Sequence, residues 1–159
     1  MSAVSKHFVL AAGGTGGHLI PAFALAIELA ERGHHVALVT DERGAALPGK
    51  PRFLPAHVIP AGRFGKNPLK WPAALGAVLQ GRRMALRLYE SFQPTAVVGF
   101  GGYPALPALL AARSARIASV IHEQNAVLGR VNRLLAPRVD AIATAFPNVA
   151  RLKPRYFDQ

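Results

Sequence analysis

The sequence predicts an α/β domain built on a Rossmann-like, doubly wound parallel sheet. Short, nearly continuous apolar runs alternate along the chain with longer amphipathic segments, which is typical of buried parallel strands connected by helices. Glycine-rich or polar turns follow three of the apolar runs, and ligands bind at such strand ends in doubly wound sheets. The chain has 159 residues, so we expect residues 1–159 to form one domain with a sizeable core.

Apolar patterns in the first 60 residues predict three strands and one helix. The run HFVLAA at 7–12 is apolar and is followed by glycines, as expected for a buried strand that ends in a turn. An apolar helical segment follows at 20–32, and Gly33 would end it. The run HVALVT predicts a second strand at 35–40, and HVIP predicts a short third strand at 57–60 after a loop rich in glycine and proline.

The remaining chain predicts three further pairs of helix and strand. Residues 68–92 have helical apolar spacing, and Pro72 falls near the first turn, where proline is tolerated. Apolar runs predict strands at 95–100, 116–123 and 139–146, and the segments between them predict helices at 104–114 and 128–137.

The charge of the chain predicts an anionic partner. Nineteen lysines and arginines against eight acidic residues give a net charge of +11, which favours nucleic acid, anionic lipid headgroups or phosphorylated substrates without choosing among them. The chain has no cysteine, which excludes disulfides and thiolate metal sites. Its first residues contain too short an apolar run for a signal peptide, and no apolar stretch is long enough to cross a bilayer.

The first candidate ligand turn follows the first strand. Four of the five residues from 13 to 17 are glycine, and His18 follows them. Glycine lets a ligand approach the main chain, and the start of the next helix favours phosphate or another anion; a tight turn without a ligand is the alternative. A nicotinamide-binding fingerprint fits poorly, because Leu19 stands where it needs its third glycine, although Asp41 could still contact a ribose. A P-loop fits poorly as well, because it would end in Gly-Lys-Ser/Thr where His18 stands.

Two further turns lie at strand ends that we expect at the same edge of the sheet. The turn at 99–103 is rich in glycine and ends in Tyr103, which either stacks on a sugar or is a partly buried aromatic residue. The turn at 122–125 reads HEQN, and its imidazole, carboxylate and amide groups suit a ligand with many hydroxyls. The alternative is that Asn125 caps a helix that starts near Ala126.

Histidine chemistry is the best candidate for catalysis at these turns. Imidazole exchanges a proton near neutral pH and can accept one from a hydroxyl, so His18 is a candidate general base. No nucleophile elbow and no D-x-D pair are present, and the eight acids are scattered, so covalent and metal-dependent mechanisms fit poorly. We expect no metal site and no cofactor.

The three turns together resemble one family closely. The segments GGTGGHLIPA, GFGGYPALPALLAA and HEQNAVLGRVNRLLAPRVDAIATAFP are similar, in order and over residues 7 to about 150, to the N-terminal half of the MurG family. That family transfers N-acetylglucosamine from UDP-N-acetylglucosamine to undecaprenyl-diphospho-muramoylpentapeptide in peptidoglycan synthesis. The resemblance implies the N-terminal, acceptor-binding domain of a GT-B glycosyltransferase, which acts peripherally at the cytoplasmic face of the cell membrane.

The resemblance also implies roles for residues of the three turns. His18 would be the base that deprotonates the acceptor hydroxyl in one inverting displacement, with UDP leaving and no metal required; His122 and Glu123 are alternative bases. Donor binding is implied for Thr15, Gly16, Gly17 and Asn125, and acceptor binding for Gly101, Gly102, Tyr103, His122 and Glu123. The family would continue after this chain into a donor-binding domain, so we expect this chain alone to bind acceptor and to turn over negligibly.

The segment 62–92 combines apolar and basic residues in a way that suits a membrane surface. Trp71, Leu75, Val78 and Leu79 can share one helical face, and the resemblance implies a membrane-associating patch near the acceptor cleft. The alternative is an ordinary amphipathic helix with its basic residues in solvent. The expected anionic membrane patch contains Lys66, Lys70, Trp71, Leu75, Leu79, Arg82 and Arg83.

Three other functions remain open from the sequence. A nucleic-acid-binding module would explain the charge, but no helix-turn-helix, zinc or RRM pattern is present, so we expect no nucleic-acid partner. A nicotinamide-dependent enzyme would explain only the first turn. Another GT-B transferase that acts on a sterol or a different lipid also remains open, and the HEQN motif argues against it only through the resemblance.

Overall fold

The protein is described here by a computed structural model, which covers residues 4–156; the first and last three residues of the expected domain lie outside this range. Within it, six strands form one sheet with the order β3-β2-β1-β4-β5-β6, and every strand pairing is parallel. This order confirms the predicted Rossmann-like sheet. The strands are β1 His7–Ala12, β2 His35–Thr40, β3 Ala56–Val58, β4 Ala96–Gly101, β5 Ala118–Glu123 and β6 Ala141–Thr144.

Helices cover both faces of the sheet, as the apolar strands predicted. Along the described chain they are α1 Gly16–Glu31, α2 Glu42–Ala45, α3 Trp71–Phe92, α4 Ala105–Ser114 and α5 Arg130–Leu135, with short 3-10 turns at Pro68–Lys70, Ala136–Arg138 and Pro154–Tyr156. Side chains of β1 alternate between two cores. Val9 and Ala11 pack with α3 and α4, whereas Leu10 and Ala12 pack with α1.

The first helix begins four residues earlier than the sequence predicted. The carbonyl of Thr15 accepts hydrogen bonds from the backbone N–H groups of His18 and Leu19, at 3.1 Å each, so α1 begins at Gly16 rather than at residue 20. Proline is favoured in the first turn of a helix, and Pro21 therefore suggests a later start. The structure tolerates Pro21 inside the helix, which places His18 in the first helical turn.

The end of the HEQN turn also differs from the expectation. The helix after it begins at Arg130, with Gly129 at the N-cap position, so the interpretation of Asn125 as a helix cap near Ala126 is wrong. Residues 124–129 form a loop in which Glu123, rather than a helix, satisfies the polar groups. The short helix α2 was not predicted, because it lies in a segment rich in glycine and proline. None of the described helices combines the length and hydropathy that crossing a bilayer requires.

Candidate functional site

The three predicted turns meet at the carboxyl edge of the sheet. The backbone N–H of Gly13 donates to the carbonyl of Gly101 at 3.1 Å, and the Gln124 side-chain amide donates to the carbonyl of Phe100 at 3.2 Å. A Cβ on Gly13 would lie 2.7 Å from Pro104 Cδ and 3.0 Å from Gly102 Cα. The first two turns therefore need glycine because their backbones touch.

The glycine turn is anchored by Asp41 at the end of β2. One Asp41 oxygen accepts from the N–H of Gly14 at 3.1 Å and from the N–H of Gly44 at 2.9 Å, and the other lies 3.5 Å from the Arg43 guanidinium. Asp41 is thus the N-cap of α2 and the support of the turn at once. The carboxylate that a nicotinamide-binding interpretation would assign to a ribose is already engaged by the protein backbone.

His18 lies between two neighbouring cavities at this edge. One cavity has a volume of about 440 Å³ and the other of about 240 Å³, and His18, Gly102 and Tyr103 line both. The larger volume lies within the range of small-molecule sites. The guanidinium of Arg63 lies over the Tyr103 ring, 5.8 Å from its centroid, and lines the smaller cavity.

The imidazole of His18 has two different surroundings. Its Nδ1 is 2.9 Å from the Thr15 hydroxyl oxygen. On the opposite side of the ring, a Cβ on Gly101 would lie 3.0 Å from both Nε2 and Cδ2, and Gly101 has φ +97°. Glycine is therefore required at position 101 both by its backbone conformation and by the packing of the imidazole.

Glu123 lies at the floor of the larger cavity and is only 1% exposed. One of its oxygens accepts from the backbone N–H of Asn125 at 3.1 Å and from the Asn125 amide at 2.9 Å. The other accepts from the N–H of Gly129 at 2.9 Å and from the Asn132 amide at 3.0 Å. Both oxygens are therefore occupied by protein donors, which fits a role in shaping the loop better than the role of a free base.

The structure places several residues at the site that sequence reasoning missed, among them Asn132, Phe64 and Arg63. Asn132 on α5 lines the larger cavity and donates to the carbonyl of His122 at 3.2 Å and to Glu123. Phe64 lines the same cavity, and Arg63 lines the smaller one. No sequence signal singles out these residues, because Asn132 is one of three polar residues in the six-residue helix α5 and Arg63 and Phe64 come from an irregular loop.

The predicted site residues are divided by the structure into those at the cavities and those beside them. The larger cavity brings together His18, Gly101, Gly102, Tyr103 and Glu123, and Thr15 lines the smaller one. Four others line neither cavity, namely Gly16, Gly17, His122 and Asn125.

His122 faces a different environment from the one expected. Its ring centroid is 5.2 Å from that of Phe100, and its Nδ1 is buried without a hydrogen-bond partner among residues 4–156. Its side chain therefore lines neither of the two cavities. In the described part of the chain, no group of three or more histidine or acidic side chains could hold a metal ion.

An exposed apolar stripe runs along the first half of α3. Trp71, Leu75 and Leu79 are 50%, 52% and 46% exposed and follow one another at every fourth residue. Val78, which helical spacing places beside these residues, is buried in the core and is not part of the exposed stripe.

Basic side chains flank this stripe on the surface. Lys66, Lys70 and Arg83 are exposed, and Arg82 donates to the Ser114 hydroxyl on α4 at 2.7 Å. The Trp71 indole N–H donates to the Gly65 carbonyl at 3.0 Å, and the neighbouring Phe64 lines the larger cavity, so the start of the stripe lies near the cavity.

Comparison with known proteins identifies several relatives. The glycosyltransferase family 28 N-terminal domain matches residues 8–144. A UDP-N-acetylglucosamine–N-acetylmuramyl-(pentapeptide) pyrophosphoryl-undecaprenol N-acetylglucosamine transferase of Erythrobacter litoralis is 72% identical over 159 residues, which are all of this chain and 40% of that protein. The protein of the same name from Novosphingobium aromaticivorans is 76% identical over 155 residues, or 98% of this chain and 40% of that protein.

A solved structure gives the same result at the level of the fold. The crystal structure of Acinetobacter baumannii MurG superposes with a TM-score of 0.77 at 35% sequence identity, and the match covers 91% of this chain and 43% of that chain. The chain therefore spans about 40% of the length of the curated relatives that it matches.

Proposed function

The chain belongs to glycosyltransferase family 28 as an N-terminal domain, and from that premise we propose that it is the acceptor-binding domain of an inverting N-acetylglucosaminyltransferase. Its relatives also confirm the resemblance to the MurG family that the motifs predicted. The proposed reaction moves N-acetylglucosamine from UDP-N-acetylglucosamine to undecaprenyl-diphospho-muramoylpentapeptide. Relatives named for that transfer are 72% and 76% identical to this chain.

The observation that carries the proposal is the place of the His18 imidazole between two cavities. A transferase needs a base within hydrogen-bond reach of the acceptor hydroxyl, at a place where that hydroxyl also meets the donor sugar. His18 lines both cavities, so a hydroxyl held in the larger cavity can give its proton to the imidazole. The resulting alkoxide attacks the anomeric carbon of the donor in one displacement, and UDP leaves with the electron pair of the broken bond.

The acceptor side of this proposal uses the larger cavity. Gly101 and Gly102 expose backbone there, and Tyr103 offers a ring and a hydroxyl to a sugar. Glu123 contributes by holding Asn132 and the loop that follows β5. His122 contributes through its carbonyl, which also holds Asn132.

The donor side of the proposal uses the first turn of α1 and the loop after β5. Backbone N–H groups at the start of a helix favour a diphosphate, so Thr15, Gly16 and Gly17 are proposed to lie beside the donor. The Asn125 amide, which Glu123 holds, would bond the transferred sugar. A second domain would bind the nucleotide, and the relatives are long enough to contain one.

A membrane surface is the third proposed partner. The exposed stripe of Trp71, Leu75 and Leu79, with lysine and arginine around it, suits insertion of apolar side chains among anionic lipid headgroups. Its position next to the larger cavity through Phe64 would bring a lipid-linked acceptor to His18. The proposed location is therefore peripheral, at the cytoplasmic face of the cell membrane.

The test of this function is a chimera in which the chain replaces the matching 40% of the Erythrobacter relative. Transfer of labelled N-acetylglucosamine to lipid-linked muramoylpentapeptide is measured for the chimera, its variants and the chain alone. We expect the chimera to be active, the chain alone to be inactive, and His18→Gln to lower kcat by roughly 10²–10⁴-fold. The control is His57→Gln, which changes a histidine that lines neither cavity. An inactive chimera, or a fully active His18→Gln chimera, would contradict the proposal.

A further inference from the structure

The hydroxyl of Thr15 is used in an unusual way. Thr15 occupies the N-cap position of α1 with extended backbone angles, yet its side chain makes no capping hydrogen bond. A threonine at this position ordinarily accepts from a backbone N–H of the first turn. Here its Oγ1 lies 2.9 Å from Nδ1 of His18, so the hydroxyl hydrogen-bonds to a side chain rather than to the backbone of the helix.

The opposite edge of the imidazole is set by Gly101. A Cβ at that position would lie 3.0 Å from Nε2 and Cδ2 of His18, so the ring packs directly against the bare Cα. The ring is thus held between the Thr15 hydroxyl and the Gly101 backbone. Because Thr15 occupies Nδ1, Nε2 is the ring nitrogen left for a ligand in the cavities that His18 lines.

The proton on the neutral imidazole decides whether Nε2 can act as a base. A neutral imidazole carries one N–H, and its other nitrogen accepts. If Nδ1 carries the proton and donates it to Thr15 Oγ1, Nε2 has a free electron pair for a substrate proton. If instead the Thr15 hydroxyl donates to Nδ1, Nε2 is already protonated and cannot accept.

We propose that Thr15 is a positioning residue that holds His18 in the tautomer protonated at Nδ1 and so leaves Nε2 basic. This inference rests on the proposed function, in which His18 takes the proton of the acceptor hydroxyl. When Nε2 accepts that proton, the bond from Nδ1–H to Oγ1 is kept, so no hydroxyl has to turn during the reaction. The proton passes from the substrate oxygen to Nε2, the oxygen's electron pair forms the new glycosidic bond, and the bond from the anomeric carbon to UDP breaks with its electron pair leaving on UDP.

The direct test reads the tautomer in this chain alone, without catalysis. The imidazole nitrogens are observed by ¹⁵N NMR at a pH well above the ordinary pKa of histidine, where neutral rings dominate, and His18 is assigned by the signals that disappear in His18→Gln. An unprotonated ring nitrogen resonates well downfield of a protonated one. We expect Nε2 of His18 to be the downfield nitrogen in the wild-type chain and in Thr15→Ser.

The variant Thr15→Val keeps the shape of the side chain but removes the hydroxyl. Since Thr15 makes no capping bond, this variant should fold with an unchanged thermal midpoint and amide spectrum. We expect its Nε2 signal to move upfield towards the Nε2-protonated form that free histidine prefers in water. A wild-type His18 protonated at Nε2, or a Thr15→Val signal identical to wild type, would overturn the proposal.

A second readout separates positioning from donor binding in the chimera described above. A positioning residue acts on the chemical step, so Thr15→Val should lower kcat at least about tenfold while KM for UDP-N-acetylglucosamine changes little, and Thr15→Ser should recover most of kcat. A rise in KM with unchanged kcat would overturn the proposal in favour of a donor contact. An inactive wild-type chimera would contradict the proposed function instead, and the NMR result would still decide the tautomer.

Discussion

The buried carboxylate of Glu123 determines the shape of the loop after β5. Its two oxygens accept four hydrogen bonds, from Asn125, Gly129 and Asn132. A buried carboxylate is costly unless donors surround it, and this one has donors on both oxygens. The loop that carries Asn125 and the start of α5 are therefore built around a single side chain.

Replacing this carboxylate by an amide should unfold part of that arrangement. Glu123→Gln turns one acceptor oxygen into an NH₂ group that faces protein donors. We expect a loss of about 2–4 kcal/mol in the free energy of unfolding, because buried donors are left without partners. Urea denaturation followed by circular dichroism measures this loss.

The matched control is the same chemical change at an exposed glutamate. Glu90 on α3 is exposed, and Glu90→Gln should change the free energy of unfolding by no more than about 0.5 kcal/mol. If Glu123→Gln were as stable as Glu90→Gln, the Glu123 carboxylate would not organise the loop. Glu123 would then be a candidate for direct contact with the ligand.

Single residues of the site differ in how well sequence alone can predict them. His18 and Tyr103 directly follow glycines at strand ends, where backbone geometry brings turns together, so both were predicted at the cavities. The side chain of His122 lines neither cavity, whereas that of its neighbour Glu123 lines one, because successive residues of a strand face opposite sides of the sheet. Asn132 and Phe64 reach the cavity from a helix and a loop whose packing no local pattern specifies.

At the scale of elements, α3 shows how one helix serves two surfaces. Its buried face consists of residues spaced by three or four positions, and the Tyr89 hydroxyl on that face donates to the Ala108 carbonyl of α4 at 3.0 Å. Burial raises the pKa of Tyr89 far above its ordinary value, so it remains a donor. The members of the buried face are Ala74, Val78, Gly81, Ala85 and Tyr89.

Two glycines of α3 should respond in opposite directions to the same substitution. Glycine to alanine in a helix ordinarily stabilises by up to about 1 kcal/mol, and Gly76 has open space where a Cβ would stand. A Cβ on Gly81 would overlap the carbonyl oxygen of Pro60, so the helix and the loop would have to separate. We expect Gly76→Ala to raise the thermal midpoint. We expect Gly81→Ala to lower it, because overpacking costs about 1–3 kcal/mol of the free energy of unfolding.

Gly76→Ala is the internal control, because it tests helix propensity in the same helix without a packing partner. Scanning calorimetry of both variants measures the two shifts. Equal increases in the thermal midpoint would mean that the loop at Pro60 can move away from the added methyl group. In that case α3 would not be tightly packed against the loop that leads to the cavity.

The ends of β1 and β2 were easier to predict than the start of α1 for a physical reason. Buried parallel strands are apolar on both sides, so their runs are continuous, and the predicted β1 and β2 have the observed ends. Helix starts depend on which carbonyl accepts the first bonds. For α1 this is Thr15, inside a glycine turn with low intrinsic helix propensity, and no spacing pattern marks it.

For the whole molecule, the excess of positive charge is largely unpaired. Within residues 4–156, the ion pairs between side chains are Arg32 with Glu28 and Arg43 with Asp41, although the chain carries 19 basic residues. Surface cations without acidic partners are free to attract an anionic surface. The apolar stripe on α3 favours a lipid surface over a small soluble anion as the proposed partner, since a lipid surface also accepts Trp71 and Leu75.

Vesicle sedimentation should show both parts of this surface. We expect binding to vesicles that contain anionic lipid, weaker binding at high salt because charges are screened, and little binding to purely zwitterionic vesicles. Leu75→Ala should reduce the partition coefficient roughly three- to tenfold, because full burial of a leucine contributes roughly 1.5–3 kcal/mol and about half of the Leu75 side chain is still exposed before binding. Trp71→Ala should reduce it at least as much. The control is Ile27→Ala, which changes an exposed apolar residue on α1 and should leave binding unchanged. The helix α1 packs on the face of the sheet opposite to α3. Binding that ignores anionic lipid and both α3 substitutions, together with salt-sensitive retention on duplex DNA, would contradict the membrane surface and favour nucleic acid as the anionic partner.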